Sequence, residues 1–220
     1  MDFVFEHRQL ILEGFFRTVQ LTVAAGLLSL VFGTVLGIMR VCPIPTLRWA
    51  GAGYVTIVRN TPLTLVFVFA VFGLPRLDIS FSFFVFAIIA LTVYTSTFVC
   101  EALRSGINSV PGGEIEAARS IGLPFRQVLS LVVLPQAFRA VIPLLSNIFI
   151  ALTKNTSIAV AFSVAEATSI MRRLQNQDAR ATWWLLIVTA IGYIVLTLAL
   201  SWGFSRWERR LSTSPAEARV

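Results

Sequence analysis

Long apolar stretches separated by short charged segments dominate the chain. An uncharged run over residues 18–39 lies between Arg17 and Arg40, a second over 60–75 is closed by Arg76 and Asp78, and a third, rich in Phe, covers 79–100. One long polar loop follows, from Glu101 to about Val128. The fourth run, 128–152, is interrupted by Gln136, Arg139 and Asn147 and holds Pro135 and Pro143; residues 154–180 are mixed, and 181–205 form the fifth run. About 20 residues of helix cross the roughly 30 Å of hydrocarbon in a bilayer. The first, third and last runs reach that length. The second and fourth are short or broken by proline, which is tolerated only where protein or a water-filled cavity covers the freed backbone groups. A β-barrel would show alternating segments of about ten residues, and these runs do not alternate. The pattern predicts an all-α membrane protein with five transmembrane helices.

Composition agrees. Of the 220 residues 56% are hydrophobic and 13% charged, with a mean hydropathy of +0.81, too apolar for a soluble domain of this size. The net charge of +7 would point to nucleic acid in a soluble protein. Here the arginines sit at the ends of apolar runs, where they anchor helices, so no nucleic acid is expected as a partner. Cys42 and Cys100 lie far apart and read as small hydrophobes, not as a disulfide or a metal site. Residues 1–17 mix Asp2, Glu6, His7, Arg8, Glu13 and Arg17. They read as an extracytoplasmic amphipathic lead-in to a retained helix, not as a cleaved signal. Residues 18–205 form a single transmembrane domain, and 206–220 a tail. Five spans put the termini on opposite sides. With the C-terminus inside, the cytoplasmic segments hold the larger share of the 18 basic residues, among them Arg40, Arg48, Arg59, Arg104, Arg119 and Arg126. The expected orientation is therefore N-terminus out and C-terminus cytoplasmic.

That orientation places the long loop in the cytoplasm. Its centre, Glu114-Ile-Glu-Ala-Ala-Arg-Ser-Ile-Gly122, follows Pro111-Gly-Gly113. The Pro-Gly-Gly run marks a turn, acidic residues open the helix in register with its dipole, and Gly122 ends it as a left-handed cap before Pro124. The expectation is a short rigid helix that can fill a partner's groove. No Gly-x-x-x-x-Gly-Lys-Ser/Thr stands anywhere, the sole lysine being Lys154, so no phosphate-binding loop is present. No His, Cys or carboxylate cluster suggests a metal or a nucleophile. The chain reads as a conduit and not an enzyme.

Glu116-Ala117-Ala118, with Gly122, Val132 and Leu134-Pro135 at the spacing seen here, resembles the EAA loop (residues 104–134) of binding-protein-dependent ABC importer permeases. Val132 stands where that family usually has isoleucine. Glu101-Ala-Leu-Arg-Ser-Gly-Ile107, Leu134-Pro-Gln-Ala-Phe-Arg139, Lys154-Asn-Thr-Ser-Ile-Ala159 and Arg59-Asn-Thr-Pro-Leu63 are similar to the polar amino acid subfamily. Tyr94-Thr-Ser-Thr-Phe-Val99 with Arg104-Ser-Gly-Ile-Asn108 is most similar in appearance to actinobacterial glutamate permeases. The resemblance covers most of 15–205. It implies a type I ABC importer permease fold whose coupling helix docks on an ATPase through Glu116, Ala117, Ala118, Arg119 and Gly122. It also implies two ATPase subunits, a second identical or homologous permease, an extracytoplasmic substrate-binding protein and an amino acid substrate, in a bacterial plasma membrane. ATP and magnesium would be used by the ATPase, with no cofactor on this chain.

Polar residues inside spans are candidates for the substrate path or its gate: Thr95 and Ser96 in the third span, and Asn147, Lys154, Asn155, Thr156, Ser157 and Glu166 around the end of the fourth. Lys154 and Glu166 suit the two charged ends of an amino acid, or each other. Ser and Thr in membrane helices also commonly bond their own backbone carbonyls. Trp183 and Trp184, and Trp202 and Trp207, read as interfacial belts. A competing class, an ion-coupled secondary amino acid transporter, calls for more spans, inverted repeats and a mid-span acid. An intramembrane enzyme calls for a His or Asp pair at one depth, and the single His7 lies outside the spans.

Overall fold

The computed structural model describes residues 2–212. The described residues form helices and connecting turns, with no strand among them. A short α1 (Asp2–Glu6) leads into α2 (Arg8–Val41), whose 34 residues extend about 50 Å at the usual helical rise. The boundary expected at residue 18 is therefore not a break: lead-in and first span are one helix. α3 (Pro45–Arg59) occupies what reads in the sequence as a polar connection, started by Pro45 in its first turn. α4 (Leu63–Val68) continues through a π-turn (Phe69–Gly73) and a 3-10 turn (Leu74–Leu77). α3 and this second segment meet at 105°.

α5 (Phe83–Asn108) starts at Ser82, whose Oγ accepts from the Val85 amide, and runs on past the expected end of the third span. The loop helix α6 (Gly112–Ser120) and a single turn, α7 (Phe125–Gln127), lead by a π-turn (Val128–Val133) into α8 (Leu134–Asn155). A 3-10 segment (Thr156–Phe162), α9 (Ala167–Gln177), a 3-10 turn (Ala179–Ala181) and α10 (Thr182–Ser212) complete the chain. α10 carries the helix into the segment expected as a tail; residues 213–220 lie outside the described part. Four described helical segments are long and apolar enough to cross a membrane, and the bent α3–α4 pair makes five when taken as one broken span.

α2 and α5 are the central pair. They approach at small residues: a Cβ on Gly33 would stand 2.6 Å from Cβ and Cγ1 of Val99 and 2.8 Å from the Ser96 carbonyl oxygen. α5 meets α8 in the same way, since a Cβ on Gly106 would lie 2.2 Å from Cγ2 of Val141. Such contacts replace the hydrophobic effect, which gives little drive for helix association in lipid. The main core joins Leu21 and Ala25 of α2, Phe67 of α4, Ala87, Ala90 and Leu91 of α5, and Leu152 and Phe162. Phe67 and Phe162 stack with centroids 5.1 Å apart. Outward faces are apolar: Phe16, Leu27, Val31, Ile191, Ile194 and Leu198 are all more than half exposed, as lipid-facing side chains are. All four tryptophans of the expected belts are exposed near helix ends.

Gly33→Leu is expected to cost about 1–3 kcal/mol, because backbone as well as side chain blocks the added atoms. Gly53→Ala, with nothing within 4 Å of its new Cβ, is expected to leave stability unchanged or slightly raised. Thermal unfolding of the detergent-solubilised protein separates the two.

Candidate functional site: the loop knob and the α5–α8 cavity

The knob is built by local rules. Pro111 precedes α6 in an extended conformation, and Glu114 lies in the first turn. At the other end Gly122 has φ +85°, the left-handed region that only glycine enters without strain. The Leu123 amide donates to the Ala118 carbonyl at 3.2 Å and the Gly122 amide to the Arg119 carbonyl at 3.0 Å. This pair of bonds is a Schellman closure. The expected left-handed stop is thus present in full.

Burial divides the motif. Glu116, Ala117 and Arg119 are exposed, and Gly122 stands open with nothing within 4 Å of its hypothetical Cβ. Ala118 is buried and faces the other way, packed with Val110, Val128, Val133 and Ala137. It holds the knob onto the base of α8 and is not part of the exposed surface. Glu114 is bonded by the Gln136 side-chain amide of α8, a second tie. Sequence reasoning missed Ile121 and Phe125, which flank Gly122 at 78% and 76% exposure. The signal was available: two large apolar residues beside a helix stop, outside every span.

The intramembrane candidates do not form one group. Thr95, Asn147 and Asn155 line one cavity of about 310 Å³ between α5 and α8, with Tyr94, Phe98, Ile148, Ala151 and Leu152. Ser96, one residue on, faces elsewhere: it donates to the Val93 carbonyl and borders an apolar cavity between α2, α3 and α5. Thr156 is fully buried and donates to the Thr153 carbonyl, and Ser157 donates to that of Lys154. These hydroxyls satisfy the backbone of a tightening helix end.

Glu166 and Lys154 do not pair. Lys154 is exposed at the last turn of α8. Glu166 is fully buried and caps α9: its carboxylate accepts from the amides of Thr168 (2.9 Å) and Ser169 (2.8 Å) and from the Tyr193 hydroxyl (2.8 Å). The Ala167 amide beside it donates to Thr18 Oγ1 of α2. Burial pushes the carboxyl above its ordinary range, against the pull of these donors. Glu166 therefore ties α9 to α10, and the Ala167 amide ties it to α2. Among the described residues no group of His, Cys, Asp or Glu could hold a metal ion.

Broken helices around an intramembrane cavity, with an anchored yet exposed loop helix at one end, define a multi-pass transport permease. The chain belongs to the family of binding-protein-dependent transport system inner membrane components, which matches residues 29–213, and within it to the amino acid ABC permeases of the inner membrane. It is 41% identical over 214 residues to the glutamate transport system permease protein GluC of Corynebacterium glutamicum, covering 92% of this chain and 94% of that one. It is 37% identical over 216 residues to the probable glutamine ABC transporter permease protein GlnM of Bacillus subtilis, covering 97% and 99%. A solved amino acid ABC transporter with histidines superposes with a TM-score of 0.88 at 28% identity, over 94% of this chain and 96% of that one. The inward-facing MetNI methionine ABC transporter shares the fold, with a TM-score of 0.74 at 21% identity, over 94% and 98%. The expected fold is the one observed.

Glu166→Ala removes a helix cap and the Tyr193 hydroxyl's shorter bond, leaving that hydroxyl only Thr168 Oγ1 at 3.2 Å, so a loss of about 1–3 kcal/mol is expected. Glu166→Gln keeps one carbonyl oxygen as acceptor and should lose less. Thermal unfolding, with amide exchange in α9, is the check.

Proposed function

We propose that this chain is the translocation subunit of an ATP-driven importer for a polar amino acid, with glutamate favoured. The observation that carries this reading is the Gly122-terminated helix α6, anchored through Ala118 and Glu114 yet exposing Glu116, Ala117 and Arg119. Such a knob suits a separate ATPase, with Glu116 facing a basic residue and Ala117 allowing close approach. Ile121 and Phe125 add apolar area to the same surface. The glutamate preference is supported by the likeness to GluC.

In this reading two ATPase subunits bind ATP and magnesium, and each engages one permease of a pair, identical or homologous. An extracytoplasmic binding protein delivers the amino acid. The N-terminus lies outside and the C-terminus in the cytoplasm, which puts α6 within reach of the ATPase. Thr95, Asn147 and Asn155 line part of the substrate path, and the pair alternates between outward-open and inward-open states.

Gly122→Val strains a backbone held at positive φ, costing about 1–2 kcal/mol locally, and distorts the docking surface. In vesicles holding the chain with its cognate ATPase, ATP hydrolysis should continue while uptake falls several-fold, with membrane insertion unchanged. Uptake that follows an ion gradient and ignores ATP would instead support the secondary-transporter reading.

A further inference from the structure

One short motif has local work for three of its four residues. At the break between α3 and α4, the Asn60 side-chain amide donates to the Thr56 carbonyl at 2.7 Å and the Thr61 hydroxyl to that of Ile57 at 2.8 Å. The first adds to the Asn60 amide already on the Thr56 carbonyl, and the second caps the Ile57 carbonyl at the end of α3. Pro62 has no amide hydrogen to place and opens α4 from an extended conformation. Asn60, Thr61 and Pro62 thus make the 105° bend. Arg59 contributes nothing to it. Its guanidinium lies 5.2 Å over the Phe98 ring of α5 and forms no ion pair among the described residues.

Arg59 faces a second cavity, of about 380 Å³, bordered also by Phe98, Glu101, Arg104 and Asn147. This cavity shares Phe98, Asn147 and Ile148 with the one lined by Thr95 and Asn155, so the two adjoin along α5 and α8. The first extends toward Asn155, the second toward Ser105 and the loop helix. The only carboxylate bordering the second cavity, Glu101, is already engaged: Oε1 by Arg40 of α2 and Oε2 by Arg104 at 2.9 Å. Two guanidiniums thus hold the one carboxylate, and Arg59, which borders the same cavity, has no part in that pairing. A planar guanidinium resting on an aromatic face, with its donors uncommitted, suits a carboxylate arriving in the cavity.

We infer that Arg59 reads a carboxylate of the amino acid in the inner half of the path, and that Phe98 is its seat when no substrate is there. The inference rests on the amino acid importer reading above. An α-carboxylate and a side-chain carboxylate offer the same two oxygens, and the probes separate them.

The complete importer, reconstituted in vesicles with its ATPase and binding protein, is supplied with glutamate or glutamine, and uptake per ATP hydrolysed is measured. Arg59→Gln should lower that ratio for glutamate roughly tenfold or more, the range expected when a hydrogen-bonded charge loses its partner. Arg59→Lys keeps the charge and should restore part of it. Phe98→Leu removes the seat but not the reader and should lose much less. An equal loss for glutamine assigns the α-carboxylate; a loss confined to glutamate assigns the side-chain carboxylate. A wild-type ratio in Arg59→Gln for both probes would overturn the inference and leave the importer reading standing. So would a Phe98→Leu loss as large as that of Arg59→Gln, since the stack alone would then carry the effect. Wild-type vesicles whose uptake of both probes proceeds equally without ATP would overturn the importer reading, and the inference with it.

Discussion

The close contact of α2 with α5 supports everything else. In lipid, two helices gain little by hiding apolar surface, so they must touch along backbones. Gly33 permits this by offering no Cβ where Val99 and the Ser96 carbonyl already stand. Ser29 adds a bond to the Thr92 carbonyl at 3.4 Å, and the pair is closed at its far end by Arg40 and Glu101. With α2 against one side of α5 and Val141 of α8 against Gly106 on another, α5 is held from two directions. The cavity walls formed by Tyr94, Phe98 and Glu101 therefore sit on a braced helix.

The second constraint is that every interrupted helix inside a membrane protein must find partners for the backbone groups it frees. Three interruptions here use three devices. Asn60 and Thr61 close the end of α3 with their side chains. Glu166 caps α9 from a fully buried position and draws in Tyr193. Gly122 closes α6 by backbone alone, with no side chain needed to cap the helix. The first works at an exposed helix end and the second from the buried interior. The third lies in the open, where a Cβ would meet nothing within 4 Å.

This difference explains what could be read from the chain beforehand. The five apolar runs, the loop helix and its glycine stop depend on local order, and all are found. α3 was not legible: Pro43, Pro45, Arg48 and Arg59 give residues 43–59 the look of a connection, and only Gly51 packing against Met39 and Arg40 of α2 shows what its apolar face covers. The role of Glu166 as a helix cap was not legible for a similar reason. Its partners include Tyr193 of α10 and, through its neighbour Ala167, Thr18 of α2, pairings that no local pattern carries. Ser96 and Thr95 differ by one position and so face different cavities, a consequence of helical rotation that the list of polar residues did not distinguish. The habit of Ser and Thr to bond their own helix was legible, and Ser96, Thr156 and Ser157 follow it.

The loop helix and the cavity are linked by one continuous element. Ala118 and Glu114 hold α6 to the base of α8, at Ala137 and Gln136. The same helix runs from Leu134 to Asn155 and presents Asn147 and Asn155 to the cavity. No loop intervenes between the knob's attachment and the polar residues that face the cavity. A displacement imposed on α6 therefore reaches the cavity as a movement of a packed helix and is not absorbed by flexible chain. α5 also connects the two, since Val110 just beyond its end packs under α6. The loop helix thus packs against the elements that form both walls of the cavity, and those walls meet closely where Gly106 faces Val141.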